Sequence, residues 1–297
     1  MNSQVFRLLL VLIIQCIIIA AVFWPRYALE PERAVRSLTQ LAGESILEIN
    51  VSDGQGNEAT LQRSGEHWLL PALGGMQADT AMVNRLLSIA TEQAARWPVA
   101  NTDSASQRFA VAQDLFARRI NFLAEGGAAA SVLLGTSPGF RQVHARNLAH
   151  PEIYSAAFNI FEAPTLSADW LAPGILQVRA PLRIVADSYS VSFAGGIWRS
   201  GSGGIPAERE LQALLNTLRN MQIKGIASTA QADSLTTAEP EFAFSVQSLG
   251  GEMELAFYKL EQEYFVRSST FPYFFGSNAY DFDRLAGIDF SLISGTP

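Results

Sequence analysis

Three histidines, His67, His144 and His150, are the side chains here whose ordinary pKa lies near neutrality. A helical zinc site needs two of them four residues apart, or cysteines to complete the ligand set. These histidines are 77 and 6 residues apart, and the one cysteine, Cys16, sits in an apolar run. Nucleophilic serine chemistry asks for G-x-S-x-G on a strand-to-helix elbow or for S-x-x-K. S-x-x-K does not occur, and the one G-x-S-x-G, Gly135-Thr-Ser-Pro-Gly139, runs into the expected strand Gln142–Arg146 and not into a helix. The glycine-rich Ser200-Gly-Ser-Gly-Gly204 would suit a phosphate if a helix and a lysine followed at once. Ile205-Pro206 follows instead, so the segment reads as a flexible strand-to-helix connection. Asp53-x-Gln55-x-Asn57 has the opening spacing of a calcium loop, but position twelve is Ser64 and not a bidentate acid, which leaves a hairpin turn. Asn50-Val-Ser52 fits a glycosylation triplet but falls inside an expected strand.

Paired carboxylates can do acid–base work. Glu208 with Glu210 reads as first-turn helix charge, Glu261 with Glu263 as a turn between strands, and Asp281 with Asp283 as a helix start. No catalytic, metal-binding or cofactor-binding residue is assigned, and no enzymatic activity is expected. One cluster stands apart: Phe271-Pro-Tyr-Phe-Phe-Gly276. It either packs the end of the chain onto a core or forms a patch that docks a partner. Phe271, Tyr273, Phe274 and Phe275 are therefore the candidate partner-binding residues.

Location is more legible than chemistry. Leu8 to Pro25 is a run of 18 residues without charge, bounded by Arg7 and Arg26. About 20 apolar residues rising 1.5 Å each span a bilayer's hydrocarbon core. Residues 6–24 fall just short, so a helix there crosses with little tilt, with Trp24 and Tyr27 at the interface. A cleaved signal would need small residues at −1 and −3, and no A-x-A follows the run. A lipoprotein site would need small residues before Cys16, where Ile13, Ile14 and Gln15 stand. An uncleaved single-pass anchor is expected, with lipid as its partner. Counting Arg7 against Arg26, Arg33 and Arg36 favours the opposite topology by a little. The short tail, immediate anchor and large acidic domain favour the N-terminus in the cytoplasm.

The remaining ~270 residues are long enough for two domains. The net charge of −7 makes nucleic acid an unsuitable partner, because backbone binding needs a basic face. Without cysteine beyond the apolar run, the outer domain must be stabilised by core burial alone.

That domain is written twice. Ile46–Val51 and Ala59–Arg63 alternate as strands around a turn, and Gly65-Glu-His-Trp68 leads on to a helix near 79–93 with Met82, Leu86, Ile89 and Ala90 on one face. Leu182–Ala186, Ser190–Phe193, Gly195-Gly-Ile-Trp198 and a helix near 207–221 with Leu211, Leu214, Leu215 and Leu218 replay this order. Trp68 and Trp198 occupy matching places. Later, Ile120–Leu123 with Ala130–Leu134 and Phe242–Val246 with Met253–Phe257 form glycine hairpins. A third strand follows each hairpin, Gln142–Arg146 and Tyr264–Arg267, and then the aromatic-rich Tyr154–Phe161 and Phe271–Phe282. Loops Pro98–Ser106 and Ser228–Glu239 are polar and read as mobile. The expected fold is α+β: a transmembrane helix, then two tandem repeats of antiparallel sheet plus helix. The boundaries are 1–27 for tail and anchor, 28–45 for a stalk, 46–172 for the first repeat and 173–297 for the second.

Gly65-Glu-His-Trp68, Leu133-Leu-Gly135, the V-x-A-R strand Val143–Arg146, Ile153-Tyr154 and Asp169-Trp-Leu171 together resemble the domain of unknown function family 4340 over nearly the whole chain. The resemblance carries no catalytic residues. It implies a context: bacterial members are often encoded beside a gliding-motility-type ABC transporter. The expected function is a non-enzymatic, periplasmic accessory subunit anchored in the bacterial inner membrane, whose partner is the transporter's permease or auxiliary subunit. The alternatives are an envelope-assembly or cell-wall scaffold, and a membrane-anchored hydrolase built from scattered acids.

Overall fold

The computed structural model describes residues 12–15, 38–91, 97–288, 291 and 293. The apolar run on which the expected anchor rests lies almost wholly outside these; its described part, residues 12–15, is helical and exposed. Among the described residues no helix is long and apolar enough to cross a membrane.

Two antiparallel sheets carry the architecture, and both grow from an alternating strand. β1 (Ile46–Ser52) buries Ile46, Ile49 and Val51; a bulge between Ile46 and Glu48 shifts its phase so that all three face inward. β2 (Glu58–Ser64) buries Ala59 and Leu61, and β3 (His67–Leu70) buries Trp68 and Leu70. A two-residue strand, β4 (Met76–Gln77), lies against β3. Helix α1 (Thr80–Thr91) follows, capped by Asp79, whose Oδ1 accepts from the backbone N–H groups of Ala81 at 2.9 Å and Met82 at 3.2 Å. Its buried face uses Val83, Leu86, Leu87 and Ile89, so Val83 takes the place expected for the half-buried Met82. Helix α2 (Asp103–Arg108) and strands β5 (Arg118–Ala124), β6 (Ala129–Leu134), β7 (Val143–Asn147) and β8 (Ile153–Ala156) complete the first set.

The second set repeats the order: β9 (Pro181–Ala186), β10 (Ser190–Ala194), β11 (Ile197–Ser200), α3 (Glu208–Asn220), α4 (Thr229–Thr236), β12 (Phe242–Ser248), β13 (Gly251–Leu260), β14 (Glu263–Ser268), β15 (Phe274–Ser277) and α5 (Ala279–Ala286). Helix α3 buries Leu211, Leu214, Leu215 and Leu218, the expected stripe. The strand orders are β4-β3-β2-β1-β5-β6-β7-β8 and β11-β10-β9-β12-β13-β14-β15. Leaving β4 aside, the two orders are the same, so the internal repeat is a repeat of topology.

Two segments expected as mobile polar loops contain helices. In Pro98–Ser106, Thr102 caps α2 by accepting from Ala105 N–H. In Ser228–Glu239, Ser228 and Gln231 form a reciprocal capping box on α4. Each helix is too short and polar to show a stripe, yet each buries an apolar residue, Ala105 or Leu235, against its sheet. The chain just before each helix also pairs with the last strand: Ile153 N–H donates to Ala100 O at 2.8 Å, and Gly276 N–H to Gly225 O at 3.0 Å. That covers the outer edges of β8 and β15, which strand formation would otherwise leave open.

By packing, the chain divides into two compact units, Met1–Gly56 with Asn84–Ala163, and Asn57–Val83 with Pro164–Pro297. Within the first, Ala105, Val111, Leu133 and Ile153 form a core cluster, and Asn147 Nδ2 donates to Leu38 O at 2.6 Å, which fixes the described end of the stalk. Within the second, rings dominate: Phe242 stacks on Phe257 at 4.7 Å and Phe282 lies edge-on to Phe242 at 5.1 Å. The same unit hangs the starts of its helices from closing segments. Asp79 N–H donates to Trp170 O at 2.7 Å, and Ala207 N–H to Ile293 O at 2.9 Å. Trp170, of the Asp169-Trp-Leu171 motif, is fully buried and donates Nε1–H to Pro164 O at 2.8 Å.

Candidate functional site

The chemically capable residues are placed by structural needs. His67 Nδ1 is 3.2 Å from Gln77 Nε2, between β3 and β4. His144 is buried in β7 with Nδ1 2.9 Å from Thr136 Oγ1 and 3.0 Å from Thr136 O, and burial holds its pKa below the ordinary imidazole value. The carbonyl of His150 accepts from Arg146 Nε at 2.9 Å. Asp53 Oδ1 accepts from Gln55 N–H at 2.8 Å, which makes the hairpin turn between β1 and β2. Ser200 and Gly204 exchange a 2.9 Å backbone bond in the connection to α3.

The carboxylate pairs fall on helix starts and a turn. Glu208 and Glu210 occupy the first turn of α3. Glu261 turns β13 into β14 with φ +56°, and Glu263 Oε2 accepts from Gln231 Nε2 at 2.5 Å. Asp281 lies in the first turn of α5, where its carboxylate accepts from Asn278 Nδ2 at 2.7 Å. Among the described residues, no three His, Cys, Asp or Glu side chains converge as a metal site.

The aromatic segment 271–276 ends in β15. Phe274 and Phe275 are buried, Phe274 in the cluster with Leu235, Tyr258 and Phe265. Phe271 and Tyr273 are half-buried, and both set their rings edge-on to Phe275, at 6.1 and 6.3 Å. The part of this segment that reaches the surface is therefore Phe271 to Tyr273, with Pro272 exposed between the two half-buried rings. Nearby, a shallow hollow of about 280 Å³ is lined by Lys224, Gln231, Glu263, Tyr264 and Ser277. A second, of about 480 Å³ in the other unit, is lined by Thr39, Gln40, Ser131, Asn147 and His150.

Exposed apolar side chains also lie on β10, on β11 and in the connection after them. Phe193 is 41% exposed, Ile197 46% and Ile205 74%. Trp198 is half-buried and tilts against Phe193 at 5.5 Å. In β10 and β11, Phe193 opposes Trp198 and Val191 opposes Ser200. Side chains alternate along a strand, so Phe193 and Trp198 share the face of the buried Val191, and Ile197 points to the other. The corner of the sheet is thus apolar on both faces, and β11 is its terminal strand. The tryptophan was legible as a marker of the repeat. Its exposure was not, because it depends on what lies beyond the strand.

A family model described as Domain of unknown function (DUF4340) matches residues 68–241 of the chain. No curated protein matches, and neither does any solved structure.

Proposed function

The chain belongs to the family described as Domain of unknown function (DUF4340), and on that footing we propose that it is a non-enzymatic accessory subunit that docks a protein partner at a membrane. The observation that carries this reading is the exposed apolar corner that Phe193 of β10 and Ile197 of β11 form at the end of the second sheet. Grouped exposed apolar side chains cost solvation free energy unless a partner covers them.

The uncharged run Leu8–Pro25 supports an anchor, placing the two sheets on the periplasmic side of a bacterial inner membrane. Tethering raises the local concentration of the apolar corner near other membrane proteins, so a modest contact suffices for occupancy. The genomic company implied by the resemblance makes a gliding-type ABC transporter the partner, through its permease or auxiliary subunit.

The test is affinity purification of the full chain from native membranes in mild detergent. Wild type is expected to carry transporter subunits with it, and the Phe193→Lys/Ile197→Lys variant to recover about tenfold less of them, equivalent to about 1.4 kcal/mol. Circular dichroism establishes that the variant is folded. Wild-type chain recovered alone, or freely soluble without its leading residues, overturns the proposal.

A further inference from the structure

The two sheets differ at one place. In the first, β3 is covered: Leu69 pairs with Gln77 and Leu70 with Met76, Ala78 N–H donates to Trp68 O at 2.8 Å, and Gly75 N–H donates to Leu70 O at 3.0 Å. In the second, the strand with the same place in the order is β11, and it ends its sheet. Nine residues, 71–79, separate β3 from α1, and seven, 201–207, separate β11 from α3. The shorter connection turns at once, with Ser200 N–H donating to Gly204 O and Gly203 N–H to Ser200 O, both at 2.9 Å. It forms no counterpart of β4.

Register shows what this leaves open. Gly201 N–H donates to Ser190 O at 2.8 Å, so Ser190 and Gly201 are a hydrogen-bonded pair. Pairs alternate along an antiparallel ladder, which makes Ser192 with Arg199 bonded and Phe193 with Trp198 non-bonded. The N–H and C=O of Trp198 therefore point away from β10, as the carbonyl of Trp68 points toward β4. The local turn uses the outward groups of Ser200, and those of Trp198 face the open edge.

We propose that β11 accepts an extended strand of the partner protein in antiparallel pairing, centred on the backbone of Trp198. The fold itself shows the occupant's chemistry. The segment seated on the matching edge is extended, presents an N–H to the tryptophan carbonyl, and sets two apolar side chains, Met76 and Ala78, inward, where both are buried. An incoming strand of that kind would lay an apolar side chain against Phe193 and Trp198, while its alternate side chains pass Ile197 on the other face. This inference rests on the partner-docking reading above and adds the mode of contact.

The probe is a blocked peptide with the sequence of residues 70–80, LPALGGMQADT, and the readout is hydrogen–deuterium exchange of the full chain by mass spectrometry. At a peptide concentration about ten times its dissociation constant, exchange in the fragment spanning Ile197–Ser200 is expected to slow about tenfold. N-methylation of the peptide at the residue equivalent to Ala78 removes the N–H that bonds the tryptophan carbonyl, and should abolish the protection. Absence of protection at millimolar peptide, or protection that survives N-methylation, overturns the proposal. So does concentration-dependent protection of the same fragment in the chain alone, which assigns the edge to a second copy. A chain that purifies with transporter subunits yet ignores the peptide loses only the strand-pairing claim. One that takes the peptide yet purifies alone loses only the transporter.

Discussion

The imidazole of His144 lies flat against the ring of Phe109, with centroids 4.1 Å apart and planes 23° from parallel. Burial disfavours the charged ring and lowers its pKa, Arg108 pushes the same way, and the hydrogen bond to the Thr136 carbonyl opposes them. Because the folded value lies below the unfolded one, the neutral ring contributes stability that is fully present above about pH 6.5. That contribution is lost as pH falls from there through the lowered folded value, and no further loss follows below it. Urea midpoints measured from pH 7.5 to pH 4.5 should show this drop in wild type and a smaller one in His144→Gln. Equal slopes in the two proteins would contradict it.

Gly135 closes the Leu-Leu-Gly element of the family resemblance, and its reason is backbone proximity. A Cβ there would sit 2.0 Å from Phe109 O and 2.4 Å from Ala110 O. Neither carbonyl can swing aside freely, since Phe109 O accepts from Thr136 N–H at 2.8 Å. Gly135→Ala should destabilise by about 3 kcal/mol, read as a shift in denaturation midpoint. A loss under ~1 kcal/mol, the range of a solvent-facing site, would contradict the close approach.

Asp79 caps α1 with two side-chain bonds and also ties the helix to Trp170 through its own N–H. The Asp79→Ala substitution removes the first pair and leaves the second, so the expected cost is about 1 kcal/mol. Asp79→Asn should recover most of it, because an amide oxygen can accept the same bonds. If Asn is as costly as Ala, the carboxylate charge and not the cap is what α1 uses.

Burial raises the pKa of Tyr189 to about 12. A raised folded value contributes stability below the unfolded pKa of about 10 that is lost as pH climbs toward 12. The size is on the order of 3 kcal/mol. Absorbance titration should show one phenol ionising near pH 12 that disappears in Tyr189→Phe, and the variant should lose less stability between pH 9 and 11.

Much of this fold was legible because its strands alternate and α3 carries a clean leucine stripe. Ile49 and Val51, and Leu211 with Leu215, announce their elements by period alone. The short helices α2 and α4 were hidden because each buries little; the S-x-x-Q signature at Ser228–Gln231 was the visible trace of α4. β8 and β15 were hidden inside segments that read as aromatic-rich, and β4 is two residues long, too short for any period to show. The interaction surface was hidden for a different reason. Trp68 and Trp198 look alike in sequence, and what separates a covered tryptophan from an open one is the shape of the connection after it.

The middle of each sheet is made by strands remote in the chain: Ile46 faces Ala124 across β1 and β5, and Ala186 faces Phe244 across β9 and β12. A polypeptide emerging from its N-terminus thus presents its first three strands long before the fourth neighbour exists. During that interval the flank of β1 is available to any passing chain, and loop-closure entropy makes the eventual zipping slow. Biogenesis of this protein therefore contains two vulnerable waiting periods, one per copy of the motif, in which a holding chaperone would have most to protect.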